Sequence, residues 1–448
     1  MTRPPGARVL IVSPNFPPTN TPDMQRVRMS LRYFGEFGWH PHVLAVAPSG
    51  HEPIEPLLAR TVPRDVSVER VRSIPLAWSR AFGVGNVALR ALPFLYAAGS
   101  RLIAKEHIDL VYFSTTMFLA MPLGRLWRRR FGVPYVLDIQ DPWLSDYYET
   151  HPDAAPPPKY SLARRLHAVL EPWTMRDVGG IVAVSDAYID TLRRRYPWIA
   201  EEACATIPFA ASRADFDLLD SHPQPNRLFT RADATLNGVY LGRGGDDMSP
   251  ALRMLFGALA AGRRSAPELF QLIKLYFVGT DYAPDDRARK TVEPIAAEFG
   301  LAGCVQEQTA RVPYFQALQM MRDADFLVLV GSDDPAYTAS KVYPYLLARK
   351  PVVAVAHERS SMVPVLSAAR GIVVATLPNE TASDSGRQHP NSPAWAMERL
   401  VADWQRVLER PPDAREMDLS SNWAWSAREM TRRQCTLFDG VIRRARAA

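Results

Sequence analysis

The sequence predicts an α/β protein of two domains, each a parallel sheet flanked by helices, facing one another across a cleft. Three observations carry this expectation. Short apolar runs alternate with longer segments of helical periodicity, which is the pattern of βαβ units. The alternation occurs twice, in two sets of five runs separated by a polar stretch. The chain has 448 residues, and single cores stop growing near about 250 to 300.

The first set comprises RVLIVS at 8–13, HVLAVA at 42–47, DLVYFS at 109–114, PYVLDI at 134–139 and GIVAVS at 180–185. Each is a short run rich in β-branched and aromatic residues, as strands buried on both faces require. Between the first two, residues 24–37 carry Val27, Leu31 and Phe34 at helical spacing and stop at Gly38, which predicts one compact crossover helix. The second set comprises GVYLG at 238–242, LIKLYFVG at 272–279, DFLVLVG at 325–331, PVVAVA at 351–356 and GIVVAT at 371–376. Residues 208–236, rich in Pro, Asp and Arg, have the composition of an interdomain connection. The expected division is therefore an N-terminal Rossmann-like domain at 1–208 and a second at 209–393. A loop is expected at 378–393, followed by an Arg-rich helical tail at 394–448 that packs back toward the N-terminal domain. Open parallel sheets bind ligands at the carboxyl ends of their strands, so function is sought in the loops that follow them.

Composition excludes several classes. With 47% hydrophobic and 22% charged residues the chain is neither disordered, collagen-like nor coiled-coil. Cys204, Cys304 and Cys435 stand far apart without a CxxC pair, which speaks against a disulfide framework or a structural zinc site and fits a reducing cytoplasm. The net charge of +6 arises from 53 basic and 47 acidic residues, and only six of the basic ones are lysines: Lys105, Lys159, Lys274, Lys290, Lys341 and Lys350. Arginine dominance of this kind also follows from genomic base composition, and nucleic acid is not expected as a partner. Anionic substrates and an acidic membrane surface stay open. The apolar run at 9–12 ends at Pro14 and is too short for a secretory signal. The most apolar stretch, 82–104, is interrupted by Arg90 and Arg101 and falls short of the ~20 uninterrupted residues of a spanning helix. Any membrane contact is expected to be peripheral, at the inner face.

Four loops could carry chemistry. SPNFPPTNTPDMQRVR at 13–28 leads through Asn20 and Thr21 into a helix start with Asp23 and Arg26, where free amides could hold a phosphate or sugar oxygen. A well-capped crossover helix explains the same residues equally. Absence of GxGxxG counts against a nicotinamide-dependent dehydrogenase. LDIQDPWLSDYYET at 137–150 brings together Asp138, Asp141, Trp143, Asp146 and Tyr147. Carboxylates accept sugar hydroxyls while an aromatic face covers the ring; turn caps and a core tryptophan are the plainer alternative. No metal is expected there, because no histidine or further acid lies in register.

YLGRGGDDMS at 240–249 surrounds Arg243 with Gly242, Gly244 and Gly245, offering a guanidinium fork to phosphate unless Asp246 or Asp247 neutralises it. In GSDDPAYTASKVYPYLLARKP at 331–351, Pro344 suits the first turn of a helix and Lys341 stands just ahead of it, which together suggest a phosphate cradle. Ser360 and Ser361 read as helix caps. GxSxG is absent and the nine histidines are scattered, which lowers a hydrolase reading.

Taken together, the segment from SPNFPPTNTPDM to HVLAVAP at 13–48, PYVLDIQDPW at 134–143, YFVGT at 276–280, YFQALQMMRDADFLVLVG at 314–331 and SKVYPYLLARKPVVAVA at 340–356 resemble a GT-B glycosyltransferase. The closest resemblance is to glycosyltransferase family four, and it covers nearly the whole chain. It implies two Rossmann-like domains of GT-B type, a nucleotide diphosphate sugar as donor, no required cofactor, and retention of anomeric configuration.

Carried over by residue, Arg243 matches the arginine that contacts the donor diphosphate. The companion lysine has no match, its place falling near Asp246 and Asp247, with Lys341 a substitute from another loop. The two donor-side glutamates fall on Ala336 and Pro344, so both carboxylates are missing, with Asp333 and Asp334 nearest. An acceptor-side histidine falls near Ser114. The implied donor group is thus Gly242, Arg243, Asp333, Asp334, Ser340, Lys341 and Tyr343. The implied catalytic group is Asp138, Asp141 and Ser114, and the implied acceptor group is Asn20, Thr21, Arg26 and Trp143. Two function classes follow. One is transfer of a sugar to a glycan, lipid-linked or small-molecule acceptor. The other is a catalytically degenerate GT-B protein that binds a nucleotide sugar or glycan or supports a partner transferase.

Overall fold

The computed structural model describes residues 6–50, 52–80, 85–144, 160–230, 234–281, 283, 287–334, 337, 339–369, 371–377, 393–411 and 423–447. Asp146, Tyr147 and most of the loop expected at 378–393 lie outside the described residues. The chain divides into two compact units, one of Met1–Ala210 with Ala424–Ala448 and one of Ala211–Trp423.

The first unit is a seven-stranded parallel sheet of β1 (Ala7–Val12), β2 (Trp39–Val46), β3 (Ser67–Val71), β4 (Leu110–Ser114), β5 (Tyr135–Ile139), β6 (Gly180–Ala183) and β7 (Cys204–Thr206). Its order is β3-β2-β1-β4-β5-β6-β7. Ile11 pairs with Val43 on one side and Tyr112 on the other, so β1 is an interior strand beside the central β4. Alternate side chains feed two cores: Val9, Ile11, Tyr112 and Val136 on one face, Leu10, Val12, Phe113 and Leu137 on the other.

The crossover between β1 and β2 is tighter than its periodicity suggests. Only Gln25–Ser30 is α-helical; the chain then turns through Gly35–Phe37 and closes at Gly38 in the left-handed region, while Leu31 and Phe34 stay buried. The helix Val87–Lys105 is long and apolar enough by composition to cross a membrane. Here it covers the sheet, burying Ala91, Leu95 and Leu102, and Arg90 satisfies its charge on the Ile74 carbonyl at 2.7 Å.

The second unit is a six-stranded parallel sheet of β8 (Leu236–Leu241), β9 (Ile273–Val278), β10 (Val305–Gln308), β11 (Phe326–Val330), β12 (Val352–His357) and β13 (Ile372–Leu377), ordered β10-β9-β8-β11-β12-β13. Both sheets therefore have the doubly wound order in which the chain reverses direction between its first and fourth strands. Those reversal points, at β1 with β4 and at β8 with β11, are where such sheets hold ligands.

The stretch 208–236 is more than a connection. It contains the helix Arg213–Ser221, which anchors to the second unit when Tyr314 donates to the buried Asp215 at 2.8 Å. The segment expected as one tail also divides. The helix Pro393–Glu409 belongs to the second unit, with Trp404 wedged edge-on against Phe270 and Phe326. The helix Ala427–Ala447 returns to the first unit, where Phe438 meets Phe34, Trp39 and Tyr112. Gly180 admits this return: a Cβ there would come within 2.8 Å of Val441.

Candidate functional site

At the carboxyl edge of the first sheet, β1, β4 and β5 converge on a buried polar cluster. Asp138 is the fourth residue of β5 and still part of the strand, so its side chain enters the layer between the sheet and the helix Gln25–Ser30. There it meets Arg26 at 2.9 Å, both side chains being 0% exposed. Asp138 also accepts from Ser114 Oγ at 2.7 Å and from Gln140 Nε2 at 2.9 Å. Arg26 donates to the carbonyls of Ile207 and Pro208 and lies over the Phe209 ring. Burial, and next the Asp138 charge, push the Tyr112 phenol well above its ordinary range.

A second carboxylate, Asp23, is held beside this cluster by Asn15 at 3.2 Å and Thr115 at 2.8 Å. Gln140 ties the two together by also donating to the Asp23 carbonyl. Asn15, Thr115 and Gln140 were not picked out by sequence reasoning, although Gln140 sits two residues after Asp138 in the same motif.

Among the described residues expected to meet substrate here, Asp141 combines exposure with a perturbed carboxyl. Poor solvation on its inner side, and then the Asp23 charge, hold it above the ordinary carboxylate range. Ser114, Asp138 and Arg26 instead satisfy one another out of solvent, and their effect is to position the loops after β4 and β5. Trp143, expected to cover a sugar, is 5% exposed and stacks on Phe118 at 5.5 Å with His167 against its edge. An aromatic face occupied by a core neighbour is not available to a ligand. Asn20 donates to Glu55 at 2.8 Å, which braces the loop after β1 against residues 53–55, and the Thr21 hydroxyl is buried without a partner.

In the second unit the loop after β8 turns at Gly242 and Gly245, both at positive φ. Arg243 forms a two-pronged pair with Asp247, at 2.9 and 2.8 Å, and lies 4.8 Å over the Tyr337 ring. The Asp247 bond raises the Arg243 pKa further. Burial alone would raise the Asp247 carboxyl, but hydrogen bonds from Arg243 and Ser332 outweigh it and hold it below the usual range. The carboxylate anticipated as a neutraliser is thus engaged, yet a guanidinium has five N–H donors and the pair uses only two.

Lys341 directly precedes the helix Val342–Ala348, with Pro344 in its first turn. Its Nζ is buried without a hydrogen-bond partner, 3.7 Å from the centre of the Tyr240 ring. A Cβ at Gly242 would collide with that Nζ, so glycine makes room for the ammonium beside Arg243. Burial, and then the Arg243 charge, hold Lys341 well below the ordinary lysine range. The seven-residue helix is too short to carry an anion site at its own amides, and the cradle reduces to the two cations.

The loop after β11 is tied to the loop after β8 by the Asp333 amide donating to the Asp247 carbonyl at 2.9 Å. Asp333, Asp334 and Ser340 are exposed, whereas Tyr343, expected to touch a donor, is buried in the helix. The arrangement can bind an anion: two cations, one lacking a partner, stand at the reversal point of a doubly wound sheet.

Residues 25–210 match the model of the glycosyl transferase 4-like domain. None of the curated proteins matches the chain. Solved structures do over nearly its full length. A UDP-forming α,α-trehalose-phosphate synthase from Burkholderia xenovorans aligns with a TM-score of 0.54 at 14% identity, covering 99% of this chain and 100% of its own. The sucrose-phosphate synthase of Thermosynechococcus elongatus aligns at 0.53 and 14%, covering 97% and 95%. HepE of Anabaena, solved in complex with UDP-glucose, aligns at 0.51 and 14%, covering 98% of each chain. At such identities the likeness establishes the fold, which is the two-domain GT-B type.

Proposed function

We infer that this chain, whose residues 25–210 match a glycosyl transferase 4-like domain and whose fold is of GT-B type, is a glycosyltransferase that takes its sugar from a nucleotide diphosphate donor bound by the second unit. The observation that carries the donor assignment is the pairing of Arg243 with Lys341 at the reversal point of β8 and β11. The UDP-glucose complex of HepE supports a nucleotide sugar of this type.

In the proposed reaction the bond between the sugar's anomeric carbon and the diphosphate oxygen breaks, the acceptor oxygen bonds to that carbon, and the acceptor's proton leaves with the diphosphate. Arg243 offsets the charge that develops on the departing diphosphate, joined by Lys341 once the bound anion favours its protonated form. Asp141 accepts a hydrogen bond from the acceptor hydroxyl. Asp138, Arg26 and Ser114 position the loop that carries it. Retention of anomeric configuration rests on the family resemblance. The acceptor is a glycan, a lipid-linked sugar or a small molecule, in cytoplasmic polysaccharide synthesis.

The alternative, a catalytically degenerate nucleotide-sugar or glycan binder, draws on Pro344, which offers no side-chain acceptor where the family resemblance places a glutamate. Calorimetry with UDP and other nucleoside diphosphates, followed by a transfer assay, separates the two. Each charge-assisted phosphate contact contributes about 1.5 to 3 kcal/mol, so Arg243→Ala should weaken binding by about ten-fold or more. Unchanged affinity in a folded double variant with Lys341→Ala overturns the donor site. Tight binding without transfer or hydrolysis selects the degenerate reading.

A further inference from the structure

The first unit carries an apolar stripe in the wrong place for a protein that meets only water. In the helix Tyr160–Met175, Leu162, Leu166 and Val169 recur at i, i+4 and i+7 and are 68%, 44% and 67% exposed. The neighbouring helix Pro122–Phe131 covers the same face of the sheet, its Leu123 and Trp127 buried there, and presents Leu126 outward at 41% exposure. Soluble helices turn such a stripe inward, so a contiguous outward one marks a contact surface.

The charge around the stripe says what the contact is. Pro122–Phe131 contains Arg125, Arg128, Arg129 and Arg130 and no acid. Tyr160–Met175 contains Arg164 and Arg165, and its one acid, Glu171, is wholly buried and bound by Arg195 and Tyr196. Asp177, nearby, is taken up by Arg125 and Arg129. Arg130 and Arg165 are exposed beside Leu126 and Leu166. Aliphatic residues flanked by arginine, with Glu171 and Asp177 both paired, complement an anionic bilayer, whose headgroups take the guanidinium groups while the aliphatic side chains enter the acyl boundary.

We propose that the outer face formed by Leu126, Leu162, Leu166 and Val169 with Arg130 and Arg165 docks the protein onto an anionic phospholipid membrane. None of these residues belongs to the candidate site, so the docking stands independently of the donor assignment.

The test is co-sedimentation of the full chain with phosphatidylcholine vesicles, with and without phosphatidylglycerol, at low and high salt. The protein should bind only the vesicles with phosphatidylglycerol, and high salt should weaken the binding. The triple variant Leu162→Gln, Leu166→Gln, Val169→Gln should bind at least about ten-fold more weakly, since each outward aliphatic chain contributes through its buried area. Arg130→Gln with Arg165→Gln should weaken binding and flatten its salt dependence. A circular dichroism spectrum and a urea unfolding midpoint close to those of the parent certify that the variants are folded. The proposal is overturned if the protein ignores vesicles containing phosphatidylglycerol or the triple variant binds as tightly as the parent. It is likewise overturned if the parent self-associates through this face and the triple variant is monomeric.

Discussion

Replacing Lys341 with methionine should stabilise the second unit and weaken nucleotide binding, and the stability gain should shrink as the pH rises. The Lys341 ammonium is buried without a hydrogen-bond partner, and its charged neighbour, Arg243, has the same sign. The Tyr240 ring at 3.7 Å favours the cation by about 2 kcal/mol. That is less than the several kcal/mol an ion loses on burial, which agrees with a pKa held well below the ordinary lysine range. Between that depressed value and about 10.4, the unfolded chain binds a proton that the folded protein does not. Unfolding free energy therefore rises with pH across this window, by about 1.4 kcal/mol per unit, as the penalty on the lysine fades.

Methionine keeps the stem of the side chain and removes the titration. The neighbouring Tyr240 and Tyr345 are pushed upward by burial and do not lose protons in the same window. Between the depressed folded-state value and about 10.4 the stability gap between variant and parent should close by about 1.4 kcal/mol per pH unit. For a unit of this size each pH unit corresponds to roughly 3 to 6 °C in Tm. Scanning calorimetry measures it, with the second unit's transition identified by its response to added UDP. A gap that stays constant with pH, or a variant less stable than the parent at pH 7.5, would show that burial does not destabilise the charged form of Lys341.

Other expectations concern both units. Arg26→Leu or Asp138→Asn alone should cost about 3 to 5 kcal/mol, because each leaves a buried charge without its partner, while a Leu/Leu double variant should cost less than the sum of the two single-leucine variants; urea unfolding of the first unit checks this. Glu307 accepts from Thr280 and from the amides of Thr291, Val292 and Glu293, so Glu307→Gln should destabilise the second unit by about 1.5 to 3 kcal/mol in the same assay. If transfer depends on ionised Asp141, activity should fall as pH drops through its raised pKa, and Asp141→Asn should lack that limb; an identical acid limb in the variant removes Asp141 from the site. With Pro344 unable to accept a bond from ribose, affinities for ribose and 2′-deoxyribose donors should differ by less than about ten-fold, and a hundred-fold preference in calorimetry would show a dedicated ribose group elsewhere.

Ten strands were legible in the sequence, the nine inner ones and the edge strand β13, because a strand packed on both faces has to be written as a nearly continuous apolar run. The sequence did not reveal β3, β7 and β10, written SVERV, CAT and VQEQ. All three are sheet edges, where fewer neighbours demand apolar side chains and a polar pattern survives. The cations of the second unit were equally legible: Arg243 and Lys341 stand in glycine-rich and strand-end loops, and lysine is rare in this chain.

Which polar residues face outward depends on contacts between distant segments. Asp138, Ser114 and Arg26 look like ligand contacts in sequence, yet strand β5 runs on to Ile139 and turns Asp138 inward to meet Arg26. Trp143 likewise belongs to the core because Phe118, 25 positions earlier, lies flat against it. The last helix returns to a sheet more than two hundred residues upstream, where Gly179 and Gly180 leave room for Val441. Such pairings join residues distant in the chain. Local periodicity records how a segment folds and says nothing of which remote partner will satisfy its charge or cover its face.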